Sequence, residues 1–325
     1  MRSTLLLAFA CVPALVACVT DAPLDGEEDT STTEADSTDT GESSGDGDGD
    51  GEDEAEGDGD GDDEPPPVPA DLPTPAGECP TFANGNATFS PASIPPRDVK
   101  LWVGDNPEPG GMLVIYWHAY GSIPDEAAFT LTQPVIDAIL DAGGVIAAPY
   151  PAEDVGEFPW FSVNVSDRPD DMLVGDEIVA CAIEQLGIDP RRIHATGMSA
   201  GGIQTVAFSM ARSRYIASAV SFSGGEYVEQ PFEDPENRFA AMIIHGGDND
   251  LFGGFVNFKA LSTVWFNQLT ANGNFAFICD HGGGHTIPSG YGDDVANFFF
   301  AHPFGTEPSP YADGLPENIP SACAL

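Results

Sequence analysis

Residues 79–325 are predicted to fold as one α/β domain, with a mostly parallel central sheet and helices on both faces. Three observations predict it. Short apolar runs alternate with stretches whose apolar groups recur at helical spacing. The runs are apolar throughout, as strands buried on both faces must be. Glycine-rich polar turns follow several runs directly, and sheets of this kind place their sites at the carboxyl ends of the strands.

Residues 98–103 read as the first strand and 111–117 (GMLVIYW) as the second. A helix is expected over 125–141, with Ala128, Leu131, Val135, Ile136 and Ile139 on one side. Residues 143–149 form the next strand. A helix follows over 170–186, aligning Met172, Val174, Ile178, Val179 and Ile183. Then come a strand over 192–197, a helix over 199–213, and strands over 216–222 and 239–245. Only 16 residues separate Phe222 from Phe239, which leaves no room for a large lid. A helix over 255–269, a strand over 275–279 and a helix over 291–301 complete the pattern.

Residues 1–17 have the character of an export signal: Arg2, a short apolar run, and small residues before Cys18. The run is shorter than the roughly 20 apolar residues of a spanning helix. Leu15-Val-Ala-Cys18 resembles a bacterial lipobox, which implies lipid attachment at Cys18. The protein is then expected to be exported and held by its lipid at the bacterial cell envelope, on the outer membrane or cell surface. Residues 18–78 form an acidic linker, expected to be disordered because it has no core to bury. Asp46, Asp48, Asp50 and Gly51 match the start of a calcium loop. The twelfth position is Gly57, so the bidentate ligand is missing. No metal site is expected elsewhere, since no CxxC or paired-His helix spacing occurs.

The chain carries 53 acidic and 10 basic residues, a formal charge of -43. Residues 19–78 hold 23 of the acids and no base, which leaves 30 acids and 9 bases from Cys79 onward. Nucleic acid is excluded as a partner, because no Lys/Arg stripe exists to displace counterions. Polybasic binding to anionic lipid is excluded likewise. Cys79, Cys181, Cys279 and Cys323 are an even set in an exported domain, so two disulfides are expected. Their pairing is open; a Cys79–Cys323 bridge joining the ends of the domain is one attractive choice.

The turns after the strands hold the chemistry. Gly197-Met-Ser-Ala-Gly201 is a G-x-S-x-G between an expected strand and an expected helix. That is the context of a nucleophile elbow, with Ser199 at the sharp turn and the Ala200 N–H at a helix start, able to hold an oxyanion. After the second strand comes His118-Ala-Tyr-Gly-Ser122, where a second oxyanion donor belongs, the Tyr120 N–H. His118 is expected to bond within its loop. Gly246-Gly-Asp-Asn-Asp250 offers two acids, Asp250 and Asp248. Asp280-His-Gly-Gly-Gly-His285 offers two bases, His285 and His281; three glycines between them argue against a helical metal pair. Phe158-Pro-Trp-Phe161 is a candidate pocket wall, or loop packing against the core.

Together, Tyr116-Trp-His-Ala-Tyr-Gly-Ser122, Asp189-Pro-Arg-Arg-Ile-His-Ala-Thr-Gly-Met-Ser-Ala-Gly-Gly202, His245-Gly-Gly and His281-Gly-Gly-Gly-His-Thr-Ile-Pro288 resemble the α/β-hydrolases. More closely, they resemble secreted esterases of the polyhydroxybutyrate depolymerase and feruloyl/acetylxylan esterase group. The likeness covers about residues 79–305. It implies a catalytic domain over 79–325 with a Ser199–His285–Asp250 triad, His281 acting only within its loop and Asp248 the alternative acid. It implies ester hydrolysis without a cofactor. Ala119 stands where the family has glycine. A monomer acting on a neutral ester, polymeric or small, is expected, since the acidic domain disfavours anionic substrates. Two rivals share the fold: a non-catalytic surface-binding protein and a serine peptidase.

Overall fold

The computed structural model describes residues 67–105 and 107–325. The export signal, Cys18 and most of the acidic linker lie outside the described residues. In chain order the strands are β1 (Gly85–Phe89), β2 (Arg97–Val103), β3 (Leu113–Trp117), β4 (Val145–Pro149), β5 (Ile193–Met198), β6 (Ser218–Phe222), β7 (Ala240–His245), β8 (Leu251–Phe252), β9 (Val256–Asn257), β10 (Ala276–Asp280) and β11 (Cys323–Ala324). The helices are α1 (Glu126–Leu131), α2 (Gln133–Asp141), α3 (Asp170–Leu186), α4 (Ala200–Ala211), α5 (Phe258–Ala271) and α6 (Gly292–Ala301).

Nine strands make one sheet in the order β1-β2-β4-β3-β5-β6-β7-β10-β11. Pairing from β4 across to β10 is parallel. The outer pairings, β1 with β2, β2 with β4, and β10 with β11, are antiparallel. Strands β8 and β9 form a separate small hairpin.

The pleat divides the apolar strand residues between two cores. Leu113, Ile115 and Trp117 point to one, with Val174 and Ile178 of α3, Val206 of α4 and Trp265 of α5. Val114 and Tyr116 point to the other, with Leu131 of α1, Ile139 of α2 and Phe298 of α6. Each large apolar side chain so buried contributes about 1.5–3 kcal/mol. This two-sided burial is why the strand residues are apolar throughout.

The expected helix over 125–141 is two helices. Within one continuous helix Pro134 would lack an N–H and its ring would strike the carbonyl four residues back. Instead Thr132 takes φ 65 and Pro134 falls in the first turn of α2, where no N–H is needed.

The disulfides join Cys79 to Cys181 and Cys279 to Cys323. Cys79 and Cys323 are therefore not paired to each other. The first bridge ties the start of the domain to α3. The second joins directly opposed residues of β10 and β11, and so closes that edge of the sheet.

The expected linker boundary at Cys79 falls inside a packed stretch. The Ala76 N–H donates to the Glu177 carboxylate, and Asp71 faces Arg214. Pro67 packs against Gly305, beside Phe304, whose N–H bonds the Arg191 carbonyl. Arg191 precedes β5, and Ser199 follows it. Six extended residues span about 20 Å, so Pro67 sits at the end of the sheet opposite Ser199.

Non-reducing peptide mapping should recover Cys79–Cys181 and Cys279–Cys323 peptides. A Cys79–Cys323 peptide would refute this pairing. In the chain-entropy picture a closed loop of about 100 residues is worth about 4.7 kcal/mol, so replacing Cys79 and Cys181 by Ser should cost several kcal/mol in urea melts.

Candidate active site

Strands β3, β5, β6, β7 and β10 run the same way, so the loops after them gather at one end of the sheet. β5 delivers Ser199 there, and α4 begins at the next residue. The chain must reverse within one residue, and Ser199 has φ 58, ψ -116. Such a backbone costs on the order of 1–3 kcal/mol and persists only where its surroundings enforce it. Here the Ser199 N–H bonds the Phe222 carbonyl at 2.9 Å, and the Ser199 carbonyl accepts from Ile203 at 2.9 Å. The flanking glycines are needed for close approach. A Cβ on Gly197 would lie 2.3 Å from the Trp117 carbonyl oxygen, and one on Gly201 only 1.8 Å from it.

His285 lies in the loop after β10. Its Nε2 is 2.9 Å from Ser199 Oγ, and its Nδ1 is 2.7 Å from Asp250 Oδ1. An ionised carboxylate only accepts, so Nδ1 carries the proton and Nε2 accepts from the serine hydroxyl. The ring is stacked on Phe258, centroids 4.4 Å apart and 15° from parallel. Its loop is pinned where the Gly284 N–H bonds the Gly246 carbonyl at 2.9 Å.

Asp250 is fully buried. Its Oδ2 accepts from the Gly246 N–H and the Ser223 hydroxyl, both at 2.8 Å. Burial alone raises this carboxyl. The bonds from His285, Gly246 and Ser223 outweigh burial and hold it below the ordinary carboxylate range. Asp248, the other candidate acid, is exposed and paired with Lys259 at 2.8 Å. The structure thus brings Ser199, His285 and Asp250 together and leaves Asp248 outside.

His118 and His281 bond within their own loops. His118 Nδ1 meets the Ala119 carbonyl at 2.9 Å, and burial lowers its pKa. His281 Nδ1 accepts from the Gly283 N–H at 3.2 Å. Among the described residues, neither the Tyr120 nor the Ala200 N–H donates to another protein group. No three His, Cys, Asp or Glu side chains are grouped to hold a metal ion among those residues.

A cavity of about 560 Å³ opens beside Ser199 and His285. Its apolar walls come from Tyr120, Phe129, Met198, Phe252 and Ile287, with Asp125 and Glu126 on one side. Trp160 and Phe161 are not in this wall. Both are buried: Trp160 packs on Trp117 and donates Nε1 to the His118 carbonyl, and the Phe161 N–H bonds Asp171. Phe158 does reach the edge of the site, 5.2 Å from the Tyr120 ring.

Sequence reasoning missed Ser223, Phe258 and most of the cavity wall. Ser223 had a signal, since it follows the apolar run ending at Phe222 just as Ser199 follows β5. The wall residues had none, because they come from separate helices, strands and loops that only the fold assembles.

No family model and no curated protein matches the chain. Solved structures do. A structure of native pOPH superposes with TM-score 0.62 at 16% identity, covering 78% of this chain and 96% of that one. A thermostable esterase gives 0.55 at 19% identity, covering 67% of this chain and 62% of that one. Poly(aspartic acid) hydrolase-1 from Sphingomonas sp. KT-1 gives 0.51 at 12% identity, covering 67% and 99%. Together with the sheet order, these likenesses show an α/β-hydrolase fold.

Ser223→Ala should cost about 1.5–3 kcal/mol at pH 7, the usual worth of a hydrogen bond to a charged partner. Asp250 has a lowered pKa in the folded protein, so its contribution is full above the ordinary Asp value near 3.9 and fades as pH falls through the folded value. Urea melts of wild type and variant should therefore differ at pH 7, and the gap should narrow as pH falls below about 3.9. A constant gap would show that the bond does not serve the ionised carboxylate.

Proposed function

We propose that the protein is a serine carboxylesterase acting on neutral esters, with polyhydroxyalkanoate-type polyester and acylated or feruloylated polysaccharide as its candidate substrates. The observation that carries this reading is the unbroken hydrogen-bond chain from Ser199 Oγ through His285 to the buried Asp250, with Ser199 held at a left-handed turn.

In this mechanism His285 takes the Ser199 proton as the oxygen attacks the ester carbonyl. Asp250 keeps the imidazole in its working tautomer and stabilises the imidazolium. The N–H groups of Tyr120 and Ala200 hold the oxyanion. His285 then returns its proton to the departing alcohol. Water attacks the acyl-enzyme by the same route, and Ser199 is restored. The apolar cavity wall suits an uncharged acyl or alcohol group. The net charge of -21 over residues 79–325, from 30 acids and 9 bases, opposes an anionic one. Similarity to a thermostable esterase and to a poly(aspartic acid) hydrolase supports this at the level of fold and leaves the substrate to experiment.

The reading extends to place. With a lipid on Cys18, the acidic linker would tether the catalytic domain to the membrane.

Ser199→Ala should abolish hydrolysis of short p-nitrophenyl esters and labelling by a fluorophosphonate. Asp250→Asn should lower kcat by about 10³–10⁴-fold, and Asp248→Asn by less than about threefold. Undiminished labelling of the Ser199 variant would sink the assignment, and an amide turned over faster than its ester would favour a peptidase. Cys18→Ser should move the protein from the detergent phase to the aqueous phase in Triton X-114 partition; unchanged partition would remove the lipid anchor.

A further inference from the structure

The loop after β3 has alanine where the resembled esterases have glycine. Ala119 does not adopt a left-handed backbone; in this loop that conformation falls on Gly121, at φ 77. A side chain from the next helix fixes Ala119 instead. Its N–H donates to Glu126 Oε1 at 2.9 Å. The Tyr116 hydroxyl, from the end of β3, donates to the same oxygen at 3.0 Å. Thr130 Oγ1 lies 2.5 Å from that hydroxyl and 3.0 Å from the Glu126 carbonyl, and when its one proton turns to the tyrosine, the tyrosine proton is left for the carboxylate. The Ala119 carbonyl accepts from the Ser122 N–H at 3.1 Å and closes the turn. One carboxyl oxygen therefore ties strand, loop and helix together at the wall of the cavity. Burial raises the Glu126 carboxyl above its ordinary range, while the Ser122 hydroxyl, the Ala119 N–H and the Tyr116 hydroxyl pull it down.

We propose that Glu126 is the positioning residue of the oxyanion loop: by engaging the Ala119 N–H it holds the neighbouring Tyr120 N–H free at the cavity wall. The inference rests on the esterase reading above. An oxyanion donor lowers a barrier only if it is oriented before charge develops, and losing one costs on the order of 10²-fold in rate. A loop that drifts by about 1 Å forfeits a similar amount. What Glu126 supplies is an acceptor at a fixed point, and a neutral amide oxygen can supply the same.

The test compares three variants of the full-length protein on a short p-nitrophenyl ester. Glu126→Gln keeps the acceptor, and kcat should stay within about fivefold of wild type. Glu126→Met has nearly the same length and no acceptor, and kcat should fall by about 10²-fold with KM within about threefold. Glu126→Asp sets the carboxylate one methylene back and should also lose about 10²-fold; it provides the comparison if the Met variant does not fold. Cooperative thermal melting identifies the folded variants. A folded Met or Asp variant with kcat within threefold of the Gln variant overturns the proposal. A loss confined to KM also overturns it, because that is ordinary substrate binding. Wild type that neither hydrolyses esters nor takes up fluorophosphonate overturns the esterase reading and this inference with it. Active wild type beside an unimpaired Met variant overturns this inference alone.

Discussion

The Trp117 carbonyl oxygen would lie 1.8 Å from a Cβ on Gly201 and 2.3 Å from one on Gly197. That approach fixes the site. It lets β5 and α4 meet against the end of β3 with a single residue between them, and that residue must take a left-handed backbone. A serine held so has few conformations for its side chain. Its hydroxyl stands at the mouth of the sheet, within 2.9 Å of His285. The strain is sustained by hydrogen bonds to Phe222 and Ile203 and by the buried strands on either side.

The same geometry recurs one strand away. Ser223 follows β6 as Ser199 follows β5, and it too has positive φ, at 44. Its N–H bonds the Ile244 carbonyl at 2.7 Å and its hydroxyl reaches Asp250. One strand end thus presents the Ser199 hydroxyl to His285, and the next bonds the Asp250 carboxylate. Parallel strands make this possible, since every strand between β3 and β10 ends on the same side. Asp250 has no freedom to be protonated cheaply, with three donors on its two oxygens. A carboxylate kept ionised in a buried site is what an imidazolium beside it requires.

The fold was legible where burial is two-sided. Runs such as Leu113–Trp117 and Val145–Pro149 are apolar at every position and could be nothing exposed. Elements with weak patterns were not legible. β1, Gly85–Phe89, is half exposed, and β11 has two residues. The break at Thr132 was written in Pro134, but helical spacing on both sides concealed it. For the site, order along the chain was enough to bring Ser199, Asp250 and His285 to one end of a parallel sheet. It could not separate Asp248 from Asp250 on residue type alone; the 3-10 turn Gly247–Asn249 turns one outward to Lys259 and the other inward to His285. Disulfide pairing was beyond the sequence because it depends on which strand lies at the edge. Phe129, Phe252 and Ile287 carry no local signal, and their convergence is tertiary.

Charge links the parts. The formal charge of residues 79–325 is -21, from 30 acids and 9 bases, and two of those acids stand at the cavity. A negative domain keeps anions at a distance within a Debye length, about 8 Å at physiological salt. Inside the cavity the effect is sharper, because Glu126 is partly withdrawn from water and lies near where an oxyanion would form. Its carboxylate would oppose that charge if left unpaired. Two donors, from Ala119 and Tyr116, meet its Oε1 instead. The carboxylate is thereby spent on holding the loop, and the adjoining amide remains for the developing charge. A residue that looks misplaced beside an oxyanion is tolerable on this geometry because two hydrogen bonds fix its Oε1 on the loop and burial raises its pKa, which makes the neutral form less costly.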